Sequence, residues 1–213
     1  MNSAPLGTVE AAGQPPALPE WIGTEEQLEE LLTRPRAALV EFIKTIASPL
    51  LLLGAGGKMG PTLAVLAKRA AAAAHHPLEV IAVSRFSDSP ARAWLEARQV
   101  KTIACDLLDA QAVQKLPDAH AILYLVGLKF GTAQNPAATW AMNTLVPARV
   151  TERYPRARIT ALSTGNVYPL AEVRRGGSPE TAPLTPLGEY ANAAVGRERL
   201  FEFCSRRQQT PVT

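Results

Sequence analysis

Four consecutive leucines, Leu50 to Leu53, run directly into Gly54-Ala-Gly-Gly57-Lys-Met-Gly60. A short, wholly apolar run reads as a strand buried on both faces, and the glycines after it read as a turn that opens a helix. Gly54 permits a tight turn, Gly57 lets an incoming group approach the backbone, and Gly60 lets the helix pack closely on the strand. The first turn of such a helix offers free N–H groups and partial positive charge, which suits an anion. With this glycine spacing, the anion that fits is the pyrophosphate of a dinucleotide. A triphosphate loop of the Gly-x4-Gly-Lys-Ser/Thr type is excluded at both ends, because Leu52 stands at its first glycine and Met59 follows Gly57-Lys58.

Downstream, apolar or β-branched runs alternate with helical stretches. Strands are expected at residues 50–53, 79–84, 100–105, 121–126 and 158–163, and helices at 58–74, 90–98, 110–115, 137–153 and 189–207. A loop rich in Pro and Gly covers residues 164–187. This alternation implies an α/β fold of Rossmann type, a doubly wound parallel sheet with its ligand at the carboxyl ends of the strands. Residues 209–213 read as the approach to a sixth strand, so a truncated C-terminal end is expected.

Upstream, residues 1–20 are rich in Ala, Pro and Gly without periodicity and are expected to be a disordered tail. Residues 21–47 form a helical leader, in which Thr24-Glu-Glu-Gln27 resembles a capping box and Pro35 separates two short helices. The leader either packs on the outside of the domain or serves a partner. Residues 48–213 are expected to make up the dinucleotide-binding domain.

Composition narrows the partners. A chain of 213 residues with 47% hydrophobic and 19% charged residues can bury a real core. Its net charge of +3 is spread thinly, with no basic stripe, which argues against nucleic acid. The start lacks the basic and apolar regions of a signal peptide, and the apolar runs are too short to span a bilayer. Cys105 and Cys204 are far apart, and His75, His76 and His120 make no ligand set. Reduced thiols, no metal and a cytoplasmic location are the expectation, with His75-His76 at a helix C-terminus.

The second strand ends Val83-Ser84-Arg85. An NAD-selective site usually places a carboxylate there for the ribose 2′-OH; here Ser84 occupies that place and Arg85 brings a guanidinium suited to a 2′-phosphate. NADP is therefore favoured over NAD. Lys58 either adds charge nearby or is a surface lysine.

Taken together, these pieces resemble the extended short-chain dehydrogenase/reductases, the NAD-dependent epimerase/dehydratase family of sugar-nucleotide enzymes. The matching stretches run in order over residues 50–213. They are the glycine turn, Cys105-Asp106-Leu107-Leu108-Asp109, Tyr124-Leu-Val-Gly127-Leu-Lys129, Trp140-Ala-Met-Asn143, Ser163-Thr-Gly-Asn-Val-Tyr168, and Tyr190. The resemblance assigns cofactor contacts to Gly54, Gly57, Lys58, Met59, Gly60, Ser84, Arg85, Leu107, Val126, Gly127 and Lys129. It places Asp106 at the adenine, unless that residue only caps a helix, and Lys129 near the nicotinamide end. It makes Tyr190 the general acid/base and Thr164 the hydrogen-bonding partner of the reacting hydroxyl, with Ser163 as the neighbour if the register differs by one. Asn143 supports the active-site hydrogen bonds. A sugar-type substrate and a homodimer are compatible with the family.

One position departs from the pattern. A phenol titrates near pH 10, so a tyrosine base needs its anion stabilised. The family supplies a lysine one helical turn on, whereas here that place holds Ala194. Three alternatives stand: Lys129 supplies the charge, the chemistry uses a less activated tyrosine, or the domain binds dinucleotide without turnover. Arg197 lies on a similar face but about 10 Å along the helix, and is expected at the helix surface. The leading expectation is an NAD(P)-dependent epimerase/dehydratase or oxidoreductase, weak without the family's C-terminal substrate region. The alternative is a dinucleotide-binding sensor or interaction protein.

Overall fold

A computed structural model describes residues 18–87 and 90–213. The tail expected at residues 1–20 falls almost wholly outside the described residues. Five parallel strands, β1 (Leu50–Leu53), β2 (Val80–Ser84), β3 (Lys101–Ala104), β4 (Ala121–Tyr124) and β5 (Arg158–Ala161), form one sheet in the order β3-β2-β1-β4-β5. The chain winds outward from β1 to β3, then crosses back to β4, so the winding reverses between β1 and β4. At the carboxyl end of that pair a crevice must open, and the glycine turn follows β1 there. In register, Leu53 stands beside Val83 on one side and Tyr124 on the other.

Where a sixth strand is expected, residues 211–213 make an isolated parallel bridge beside β5. Val212 bridges Ile159 in parallel, Ile159 N donates to Pro211 O at 2.8 Å, and Thr213 N donates to Ile159 O at 2.9 Å.

Because β1 is central, both of its faces are covered, which is why it needs no polar residue. Leu51 and Leu53 join one core and Leu52 the other. The first core is closed by α5 (Ala110–Gln114), α6 (Pro136–Arg153) and α7 (Gly188–Gln208), through Val113, Val146, Val150 and Phe201. The second is closed by α2 (Ala37–Ile43), α3 (Gly60–Ala73) and α4 (Ala91–Ala97). The alanines of α3 let it lie close to the sheet, with Ala64, Ala70 and Ala71 all buried.

The leader packs on the domain. In α1 (Glu25–Thr33), Gln27 N donates to Thr24 Oγ1 at 3.2 Å while Gln27 Oε1 accepts from Gly23 N at 2.8 Å, a capping box closed one residue early. Arg69 of α3 donates to Glu30 at 2.7 Å and to Thr33 Oγ1 at 2.7 Å, and Arg98 pairs with Glu29 at 2.9 Å. The Arg69 hydrogen bond holds the half-exposed Glu30 carboxyl below its ordinary range.

Two buried phenols are expected to make folding sensitive to alkali. Tyr124 is fully buried, edge-on to Phe201 with ring centroids 5.0 Å apart. Burial pushes its phenol well above the ordinary range, against the smaller opposing influence of the Arg197 charge. Tyr154, whose hydroxyl donates to Pro117 O at 2.9 Å, is pushed up to about 12 by burial. A folded-state pKa raised in this way favours the protonated form. The stability it brings is therefore complete below the unfolded value of about 10 and is lost as pH rises through 12. The melting temperature is expected to fall over that interval, and Tyr154→Phe to blunt the fall. A flat profile would contradict this account.

Candidate active site

The glycine turn is tightly built. Gly54 and Ala55 both donate to the Val83 carbonyl, at 2.9 and 3.1 Å, which staples the turn to the end of β2. Gly54 takes a φ of 86°, and a Cβ there would lie 2.9 Å from Val126 N. At Gly60 a Cβ would lie 2.3 Å from the Ala55 carbonyl oxygen. Gly57 is different: it is exposed, and its nearest neighbour would be 3.4 Å away. Its backbone is left free for a ligand, while Gly54 and Gly60 are committed to packing.

In front of this turn lies a cleft of about 270 Å³. Gly54 and Gly57 line it together with Ser84 and Arg85 from the end of β2. Asp106 and Leu107 after β3, and Val126 and Gly127 after β4, complete the wall. Gly56, Cys105, Leu125 and Met142 also face it and were not singled out from the sequence. Gly56 had a signal, since it lies inside the motif; a Cβ there would come within 2.7 Å of Ser84 Oγ. The other three are ordinary apolar residues whose roles only the sheet's carboxyl edge reveals.

Four expected cofactor residues are not in the wall. Gly60 is buried against Ala55, Lys58 and Met59 are exposed on the turn, and Lys129 lies exposed beyond β4 with its ammonium 5.8 Å from the Phe130 ring. Asp106 Oδ1 accepts from Leu108 N at 2.9 Å, whereas the cap of α5 is Asp109, which accepts from Gln111 N at 2.8 Å. Helix capping thus does not account for Asp106. Burial, reinforced by the Asp106 and Asp109 charges, pushes the Cys105 thiol up and keeps it protonated.

A second group sits where β5 meets α7. Ser163 donates to Glu198, and both line a cavity of about 340 Å³. Thr164 caps a short 3-10 turn, Gly165–Val167, accepting from Asn166 N at 3.3 Å. Tyr190 is half-buried in the first turn of α7, next to Glu189, whose carboxylate accepts from Trp140 Nε1 at 2.6 Å. Asn143 does not open onto solvent: it is fully buried in α6, donating to Thr139 O at 2.9 Å. Pro147, four residues on, has no N–H, so the Asn143 carbonyl lacks its helix donor.

Arg197 overturns its expected place on the helix surface. It is 3% exposed, and its Nη1 donates to Val126 O at 3.1 Å and to Asn143 Oδ1 at 3.0 Å. The stem of an arginine can run through an apolar seam, and here its head finds two oxygens at the far side. Ala194, one turn closer to Tyr190, is fully buried. Among the described residues there is no cluster of His, Cys, Asp and Glu able to hold a metal, and no helix long and apolar enough to cross a membrane.

Comparisons with known proteins agree with this architecture. The UDP-Glc/GlcNAc 4-epimerase of Campylobacter jejuni superposes with a TM-score of 0.63 at 23% identity, over 76% of this chain and 50% of that one. DesIV, a dTDP-glucose 4,6-dehydratase from Streptomyces venezuelae solved with NAD and TYD bound, gives 0.66 at 22% identity, over 77% and 53%. A UDP-glucuronic acid 4-epimerase from Bacillus cereus, solved with NAD, gives 0.62 at 19%, over 77% and 54%. These likenesses show the fold, and the chain spans about half the length of each of these structures. No curated protein matches it. The NAD dependent epimerase/dehydratase family model matches residues 50–213, and the chain belongs to that family.

Proposed function

We propose that the chain is an NAD(P)-dependent epimerase/dehydratase or reductase that acts on a sugar, a nucleotide sugar or a related polyhydroxy compound by hydride transfer. The observation that carries this reading is the glycine cradle at the reversal point of the sheet, with Gly57 accessible and Gly54 and Gly60 packed too tightly for any side chain. The cleft residues fit a dinucleotide: small residues meet the diphosphate, Asp106 offers an acceptor at the adenine end, and Arg85 offers a cation at the ribose. When bound, the dinucleotide accepts or supplies a hydride. The chain's own residues do the rest. Tyr190 exchanges a proton with the substrate hydroxyl and Thr164 hydrogen-bonds that hydroxyl, with Ser163 the neighbouring hydroxyl for that role if the register differs by one. Asn143, being buried, acts by positioning.

Cofactor choice rests on Ser84 and Arg85, which favour NADP. Arg85→Ala is expected to weaken NADPH binding by about tenfold or more, the worth of a charge-assisted hydrogen bond, and to leave NADH binding nearly unchanged. Titration calorimetry with both cofactors checks this; an equal loss for both would remove Arg85 from the 2′-phosphate.

The enzymatic reading itself is tested by following NADPH oxidation with a panel of keto-sugars and nucleotide keto-sugars. Ala194 supports a second reading, a dinucleotide-binding sensor or interaction protein. NADPH binding without reduction of any carbonyl compound would favour it.

A further inference from the structure

Arg197 is a buried cation without a buried anion. Among the described residues its guanidinium meets a backbone carbonyl and a neutral amide oxygen, and no carboxylate within ion-pair distance. Burying a charge with neutral partners alone is costly, and an apolar side chain of similar length would fill the α6–α7 seam at less cost. Stability does not explain the residue.

Its contacts point to the cleft. Val126, whose carbonyl it holds, and Gly127 both line the wall at the end of β4. Gly127 is itself fitted to the guanidinium, since a Cβ there would lie 3.0 Å from Arg197 Nη1. Asn143 completes the link, because its Oδ1 accepts from Arg197 and its Nδ2 is fixed on Thr139 O at 2.9 Å. The Val126–Gly127 backbone is thereby tied to α6 and α7 through one charged group.

Ala194 gives this arrangement its meaning. Residues 194 and 197 are neighbours on one helix face, with Cβ atoms about 5–6 Å apart. A lysine and an arginine there would bury two like charges together, so the seam admits one cation at either place. We propose that Arg197 is a positioning residue for the cofactor wall, bringing to the seam the one cation that a lysine at position 194 would otherwise bring, without activating Tyr190. From one turn further along α7 it sets the Val126–Gly127 turn and supplies the positive charge behind it. This rests on the cofactor reading above.

The test moves the charge. Arg197→Met keeps most of the bulk without the charge and is expected to weaken NADPH binding by about tenfold or more, by calorimetry. Ala194→Lys in the Arg197→Met background returns a cation to the seam and is expected to restore affinity to within about threefold of wild type, which a purely structural role would not do. Arg197→Lys, which keeps the charge at its own place, serves if Arg197→Met does not fold, and is expected to keep affinity within that margin. Native affinity in folded Arg197→Met, or a folded double variant no better than the single one, would overturn the proposal. So would loss of binding in folded Arg197→Lys. Wild-type chain that binds neither NADP nor NAD would instead overturn the cofactor reading, and this inference with it.

Discussion

Gly60→Val is expected to lower the melting temperature by about 10 °C or to abolish cooperative folding. The Cβ of any residue at position 60 would lie 2.3 Å from Ala55 O and 2.5 Å from Ala55 Cα. Both are backbone atoms of a turn held on the Val83 carbonyl, so they cannot swing aside as a flexible side chain would. Relief requires α3 to lift away from β1, and α3 carries Ala64, Val65, Ala70 and Ala71 into the core beneath the leader. Overpacking a core commonly costs about 1–3 kcal/mol, and a clash with fixed backbone belongs at or above the top of that range. In a chain of this size each kcal/mol is worth about 2–4 °C. Gly57→Ala makes the matched control. Its Cβ meets nothing closer than 3.4 Å, and Gly57 has no left-handed φ, so folding should be unchanged while dinucleotide affinity falls. Circular-dichroism melts of the two variants check the contrast. A Gly60→Val protein melting with the wild type would mean that α3 does not rest on the turn as described.

Tyr190→Phe is expected to slow hydride transfer by about 10²–10⁴-fold, the usual worth of a general acid or base, with NADPH affinity essentially unaltered. The residue stands half-buried in the first turn of α7, held toward α6 by the neighbouring Glu189–Trp140 hydrogen bond of 2.6 Å. It has no ammonium one turn away, because Ala194 fills that place, and the buried Arg197 lies about 10 Å from Tyr190 along the axis. The remaining activation is therefore small, and the effect should sit toward the lower end of that range. Measuring single-turnover rates and cofactor affinity on the same preparations separates chemistry from binding. Unchanged rates would leave Tyr190 as a helix-start aromatic and would favour the sensor reading.

Much of the fold was legible because hydrophobic burial leaves a local trace. The Leu50–Leu53 run had to be a central strand, and the alternation after it had to wind into parallel order. Element ends were less legible. The sequence pattern carries β4 on to Val126, but the strand ends at Tyr124. Leu125 and Val126 stay apolar because they still pack on the two cores while lining the cleft, and only Leu125 N still reaches β1, donating to Leu53 O at 2.8 Å. Likewise α3 begins at Gly60, not at Lys58, since Lys58 and Met59 remain in the turn. Strand ends are set by where ladder hydrogen bonds stop, and side-chain polarity does not record that.

The placement of the leader and of Arg197 depended on the third dimension. Nothing within residues 21–47 names Arg69 as the partner of Glu30, 39 positions away, and the capping box would serve a free helix equally well. Arg197 sits in a helix of mixed polarity, where an arginine is ordinarily solvated. Its acceptors are 71 and 54 residues distant, just after β4 and on α6. Local pattern, glycine spacing and residue order thus determined the sheet, the turn and the family. Which cation lies behind the cleft was decided by tertiary packing, because burial of a charge depends on oxygens that only the folded chain brings to it.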